Sequence, residues 1–248
     1  MRLAKIDAIR GITLISMILY HAAWDIVYIF GHDIPWYRNN PGFIWQQSIC
    51  WTFILLSGFS WSLGKRHLKR GLTVFLCGAV ITLATALFMP EDVVWFGILT
   101  FMGSAMLLTI PLDKYFRIRS RTGGITLMIC AIILFFLTRD INTGYLLNIR
   151  LPQSLYSDYF TAFLGFPPAG FFSTDYFSLI PWFFLYLAGY SLYFILPVGN
   201  KEHPLTKALT GSICPPLEFI GKHTLIIYML HQPVIYGVMM LISSFRAF

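Results

Sequence analysis

The run Ile9-Arg10-Gly11-Ile12-Thr13-Leu14-Ile15-Ser16-Met17-Ile18-Leu19-Tyr20-His21-Ala22-Ala23-Trp24-Asp25-Ile26-Val27-Tyr28-Ile29-Phe30 is apolar nearly throughout, yet Arg10, His21 and Asp25 interrupt it. About 20 such residues cross the hydrocarbon of a bilayer as helix, at ~1.5 Å per residue. The run therefore reads as a membrane span. Arg2 and Lys5 precede it, and Ala22-Ala23 resembles a signal-peptide cleavage site. The apolar run continues past that point through Trp24 and Ile26–Phe30, and a cut there would discard the polar positions, so the reading is a retained helix.

Moving outward, the chain has six more apolar segments: Phe43–Gly64, Gly71–Met89, Val94–Leu112, Gly123–Thr138, Ser178–Leu196 and Phe219–Ser243. Composition agrees. Of 248 residues, 57% are hydrophobic and 12% charged, and mean hydropathy is +0.68. A soluble domain carries about 25% charge, so a water-facing fold and a disordered chain are both excluded. The expected fold is all-α: a polytopic helix bundle of about seven transmembrane helices, one domain over residues 1–248. Arg2, Lys5, Arg10, Lys65, Arg66, Lys69, Arg70, Lys114, Arg117, Arg119, Arg121, Lys201, Lys207 and Lys222 fall on one side of such a bundle. Only Arg38, Arg139, Arg150 and Arg246 fall on the other. Cytoplasmic loops collect Lys and Arg, which puts the N-terminus inside, the C-terminus outside, and a long loop, 139–177, on the extracytoplasmic face. The net charge of +7 then belongs to topology, and nucleic acid is not an expected partner. That loop is rich in Tyr and Phe, as an interfacial belt or a lid over a site would be. Cys50, Cys77, Cys130 and Cys214 show no CxxC spacing and read as packing residues. No set of correctly spaced metal donors is present, and no metal is expected. An odd number of spans argues against two equal inverted halves.

Ionisable groups at membrane depth call for a function or a partner. On an unbroken helix Arg10, His21, Asp25, Tyr28 and His32 share one stripe. His21 then lies about 16 Å along the axis from Arg10. A carboxylate one turn from an imidazole can fix its tautomer and stabilise its protonated form, leaving it as a general base. The same pair also suits a structural pin or a proton relay. In the last segment Thr224, Tyr228 and His231 share a face. There His231 and Gln232 either meet the first stripe or repair the backbone groups that Pro233 frees. His67 and His203 read as solvated loop residues.

Several motifs resemble a known family: Ile6-Asp7-Ala8-Ile9-Arg10-Gly11-Ile12 with the run to His21, Phe53-Ile54-Leu55-Leu56-Ser57-Gly58, Phe96-Gly97-Ile98-Leu99, Asp175-Tyr176-Phe177-Ser178-Leu179-Ile180-Pro181-Trp182, and Gly221–Pro233. In this order they resemble the bacterial DUF1624 proteins, which belong with the heparan-α-glucosaminide N-acetyltransferase catalytic-domain family of transmembrane acyltransferases. The resemblance implies transfer of an acetyl group from cytosolic acetyl-CoA to a sugar on the far side of the plasma membrane. It matches important first-helix positions to His21 and His32; the animal enzyme has Asn where this chain has His21. It thus implies catalytic roles for His21 and His32, and Asp25 joins them as the carboxylate one turn from His21. Arg10, Lys222, Tyr228, His231 and Gln232 are the candidates for binding acyl-CoA and acceptor, with lipid as surroundings and a homodimer as the plausible assembly. Two other classes stay open on the residues alone: a proton-coupled transporter, and a non-catalytic membrane partner of an envelope-polymer assembly system.

Overall fold

A computed structural model describes residues 3–116, 118–200 and 202–246. Of the loop cations above, Arg2, Arg117 and Lys201 lie outside them. Helix α1 (Ala4–Trp24) passes into a π-helical turn, Asp25–Ile29. Next come α2 (Asn40–Trp61), α3 (His67–Phe88), α4 (Ile98–Phe116) and α5 (Arg121–Leu137). A two-residue antiparallel pair, β1 (Tyr145–Leu146) and β2 (Ile149–Arg150), precedes the short α6 (Tyr159–Leu164). The chain ends with α7 (Leu179–Ile195), α8 (Pro204–Thr210), α9 (Pro215–Lys222) and α10 (Thr224–Arg246).

The all-α expectation is met, and six of the seven apolar segments each fall mainly on one helix. Among the described residues four helices are long and apolar enough to cross a membrane: Ala4–Ile29, His67–Phe88, Arg121–Thr143 and Thr224–Ser244; Leu179–Ile195 is apolar but shorter. The last apolar segment is not one helix. It breaks at His223, so Phe219–Lys222 belongs to the amphipathic α9 and α10 starts afresh. On α3, Leu68, Leu72, Leu76, Val80, Leu83 and Leu87 are all exposed. An outward apolar face of this kind suits a lipid solvent.

The chain folds as two compact units, Met1–Phe53 with Val198–Phe248, and Ile54–Pro197. In the first, α1 packs on α9 backbone to backbone. A Cβ at Gly11 would strike the carbonyl of Leu217, and one at Gly221 the carbonyl of Asp7. In the second, Gly58 and Gly189 play the same part between α2 and α7, against the carbonyls of Tyr186 and Leu55. With lipid on the outside there is little hydrophobic drive between helices, so close approach at small residues carries the packing.

The loop 139–177 is ordered within the second unit. Asp158 caps α6 in a reciprocal pair with Thr161. Phe171 stacks near Phe96 and meets Tyr159 and Tyr176 edge-on or tilted. Ser173 Oγ accepts from Trp95 N and donates to Trp95 O. His67, expected in solvent, is stacked on Trp61 with ring centroids 3.9 Å apart. As the first residue of α3, beside a buried tryptophan, the imidazole finds an apolar surface that water does not offer.

Candidate active site

The first unit gathers the polar residues of α1 and α10. The start of α1 is docked on α9 by Gly11 and Gly221, and there Arg10 pairs with Asp7 at 3.0 Å, one turn apart. Further along, His21 reaches α10. Its ring meets that of His231 with centroids 4.8 Å apart and planes 61° apart. One turn on, at the head of the π turn, Asp25 is fully buried. Its Oδ1 accepts a hydrogen bond of 2.6 Å from Gln232 Nε2. His231 is itself buried, with Nδ1 hydrogen-bonded to the backbone carbonyl of Tyr228. His231 Nε2 and Gln232 Oε1 are buried without hydrogen-bond partners among the described residues. Two imidazoles, a carboxyl and a carboxamide thus join α1 to α10.

An aromatic wall adjoins them. Tyr20 lies edge-on to His21 at 6.0 Å and contacts Tyr37 and Trp45. Tyr37 donates its hydroxyl to the carbonyl of Tyr20, and Trp45 Nε1 donates to Ser16 Oγ at 2.8 Å. Trp36 leans on Trp45. Ring faces backed by fixed donors and acceptors suit a ligand with an apolar face and hydroxyl edges.

His21, Asp25, His231, Gln232 and Tyr228 are therefore brought together. Arg10, Lys222 and His32 are not brought into that cluster. Arg10 stands at the other end of α1, Lys222 is exposed at the end of α9, and His32 is exposed beyond the wide turn. The single stripe expected from Arg10 to His32 is corrected after Asp25. The π turn closes with Phe30 N on Asp25 O, and His32 N reaches back to Ile26 O. Each extra residue in a turn rotates the rest of the helix by about 100°, so Tyr28 is 54% exposed and meets Arg38 by a cation–π contact at 5.7 Å. The sequence signal for the α10 partners was their polarity beside Pro233; nothing in it said which would meet which. No group of three or more His, Cys, Asp or Glu able to hold a metal occurs among the described residues.

A second arrangement, in the other unit, explains two of the motifs. Asp175 Oδ2 accepts from the amide of Ile98 at 3.1 Å, and Phe177 N donates to Phe96 O at 2.9 Å. Phe96 takes the left-handed backbone form, φ 53°, uncommon for a bulky residue. The Phe96–Leu99 and Asp175–Trp182 motifs are thus one structure, a carboxylate cap on α4. Withdrawal from water pushes the Asp175 carboxyl up from 3.8 to about 6, against the downward pull of the Ile98 amide. The folded chain therefore holds this proton more tightly than the unfolded one. The resulting stability is fully present below pH ~3.8 and lost as pH rises through about 6. Asp175→Asn keeps an acceptor for Ile98, so melting temperatures in detergent between pH 4 and 7 are expected to lose this decline; an unchanged profile contradicts the assignment.

The chain matches the family described as heparan-alpha-glucosaminide N-acetyltransferase, catalytic, over residues 2–233. No curated protein and no solved structure matches significantly.

Proposed function

The chain belongs to the heparan-alpha-glucosaminide N-acetyltransferase catalytic family, and on that premise we propose that it moves an acetyl group from cytoplasmic acetyl-CoA to a sugar or glycan amine or hydroxyl outside the plasma membrane. Family membership makes the chain a membrane acetyltransferase-like protein. The observation that carries it is the contact of His21 and Asp25 on one helix with His231 and Gln232 on another. Buried polar groups of this kind in an apolar helix pair are costly unless used.

Acetyl-CoA would supply an activated thioester. Arg10 and Lys222 suit its phosphates, and the four-residue cluster begins about 16 Å along α1 from Arg10. Positioning and acid–base help from an imidazole of the pair would do the catalysis. The Tyr20, Tyr37 and Trp45 rings suit the face of a sugar acceptor. Of the first-helix histidines, His21 rather than His32 belongs to the site, because His21 meets His231 on α10 and His32 is exposed. The seven apolar segments, with their uneven loop cations, support seven passes with the N-terminus inside.

Purified protein in detergent is expected to melt higher in acetyl-CoA; a ligand at 100 times its Kd adds about 2.7 kcal/mol. It is also expected to transfer labelled acetyl to an amino-sugar or polyol acceptor. His21→Ala removes the ring that His231 packs against and should lower transfer at least about tenfold through lost positioning, while keeping the acetyl-CoA shift. A chain that shows neither shift nor transfer overturns the proposal. The buried polar cluster would then stand as a proton path, testable by proton uptake in vesicles.

A further inference from the structure

The two ring nitrogens of His231 stand in different circumstances. Nδ1 lies against the carbonyl of Tyr228. A carbonyl only accepts, so Nδ1 carries the proton, and in the neutral ring Nε2 holds the lone pair. Nε2 is buried and has no hydrogen-bond partner among the described residues, although the His21 ring lies 4.8 Å away on α1. Gln232, the next residue, is in a matching state. Its Nε2 is held by Asp25, while its Oε1 is buried without a partner. Consecutive residues of α10 thus leave two buried acceptor atoms without donors.

Pro233 accounts for half of this. It lacks an amide proton, so the helix opens at the carbonyl of Met229, four residues back, and a side-chain donor on the adjoining Tyr228 carbonyl steadies that turn. This explains Nδ1. It does not explain a free Nε2, and buried polar atoms are nearly always satisfied.

We propose that His231 Nε2 is the proton acceptor of the transfer, and that Gln232 Oε1 receives a second hydrogen of the acceptor, from the same amine or a neighbouring hydroxyl. The assignment rests on the acetyltransferase reading and names the base within it. His231 takes the proton from the acceptor hydroxyl or amine as that atom bonds to the thioester carbonyl carbon. As the C–S bond breaks, the imidazolium gives the proton to the departing thiolate. The Nδ1–H bond to Tyr228 strengthens as charge develops on the ring, and Asp25, in contact through Gln232, lies within the same cluster. His21 is the ring against which His231 is set.

Two measurements test this. In ¹⁵N-histidine-labelled protein, the resonance absent from His231→Asn is expected to show the Nδ1–H tautomer; the Nε2–H tautomer overturns the proposal whatever the activity. In turnover, His231→Asn keeps a donor for the Tyr228 carbonyl but has no base. Its transfer rate should fall 10²- to 10⁴-fold while the acetyl-CoA melting shift is kept, and added imidazole should restore part of the rate to His231→Ala. Transfer by His231→Asn within threefold of the parent overturns the assignment of the base and leaves the acetyltransferase reading intact. A parent chain that transfers nothing ends both.

Discussion

Asp25→Ala is expected to lower the melting temperature in detergent and to slow transfer by at least about tenfold, whereas Asp25→Asn should do much less to either. The difference lies in what each leaves behind. Asp25 Oδ1 accepts from Gln232 Nε2 at 2.6 Å, a link between α1 and α10 at a fully buried position. Hydrogen bonds to charged groups contribute about 1.5–3 kcal/mol, and an orphaned buried donor costs about 1–3 kcal/mol. Alanine removes the acceptor and leaves the carboxamide hydrogen with nothing to meet in an apolar setting. Asparagine keeps an oxygen there and removes only the capacity for charge. Thermal melts with transfer assays on both variants separate geometry from charge. Equal losses in the two would mean that charge, not the bridge, is what matters; no loss in either would remove Asp25 from the site.

The second large effect belongs to Gly221. Valine there must place its Cβ where the carbonyl of Asp7 lies. The obstacle is backbone, which cannot rotate away as a side-chain tip would. The α1–α9 contact has to open, and overpacking of this kind costs about 1–3 kcal/mol or more. Because α1 carries His21 and Asp25, displacement at its docked end should also reduce transfer. Gly237→Val is the control, since nothing lies within 4 Å of a Cβ there. Its melting temperature should match that of the parent chain, while Gly221→Val should melt several degrees lower. Equal melting of the two variants would mean that the tight α1–α9 approach contributes nothing.

How much of this was legible in the sequence differs from residue to residue. The seven apolar segments announced helices because hydropathy is a property of single residues and their neighbours. Burial of Asp25 was legible for a related reason, since a carboxyl in an apolar run must find a partner or leave lipid. Which partner it finds is decided between helices, and periodicity within one helix does not carry that. Spacing joined Asp25 to His21; the fold joins Asp25 to Gln232 and His21 to His231. The wide turn at Asp25–Ile29 has no signal in composition, and without it Tyr28 and His32 counted onto the wrong side. The break at His223 was hidden because Phe219–Lys222 is apolar enough to pass as the start of α10. The Gly11 and Gly221 motifs were visible as motifs, but their use, a meeting of two backbones, depends on the α1–α9 packing.

The cap on α4 has a consequence for how the chain is made. Ile98 and Asp175 stand 77 residues apart. At a synthesis rate of about 5–20 residues per second, some 4–15 s pass between the emergence of the one and of the other from the ribosome. During that interval the amide of Ile98 lacks its native acceptor, and water or the insertion machinery must satisfy it. The helix that begins at Ile98 is therefore finished late, by a carboxylate translated after two further helices, α5 and α6.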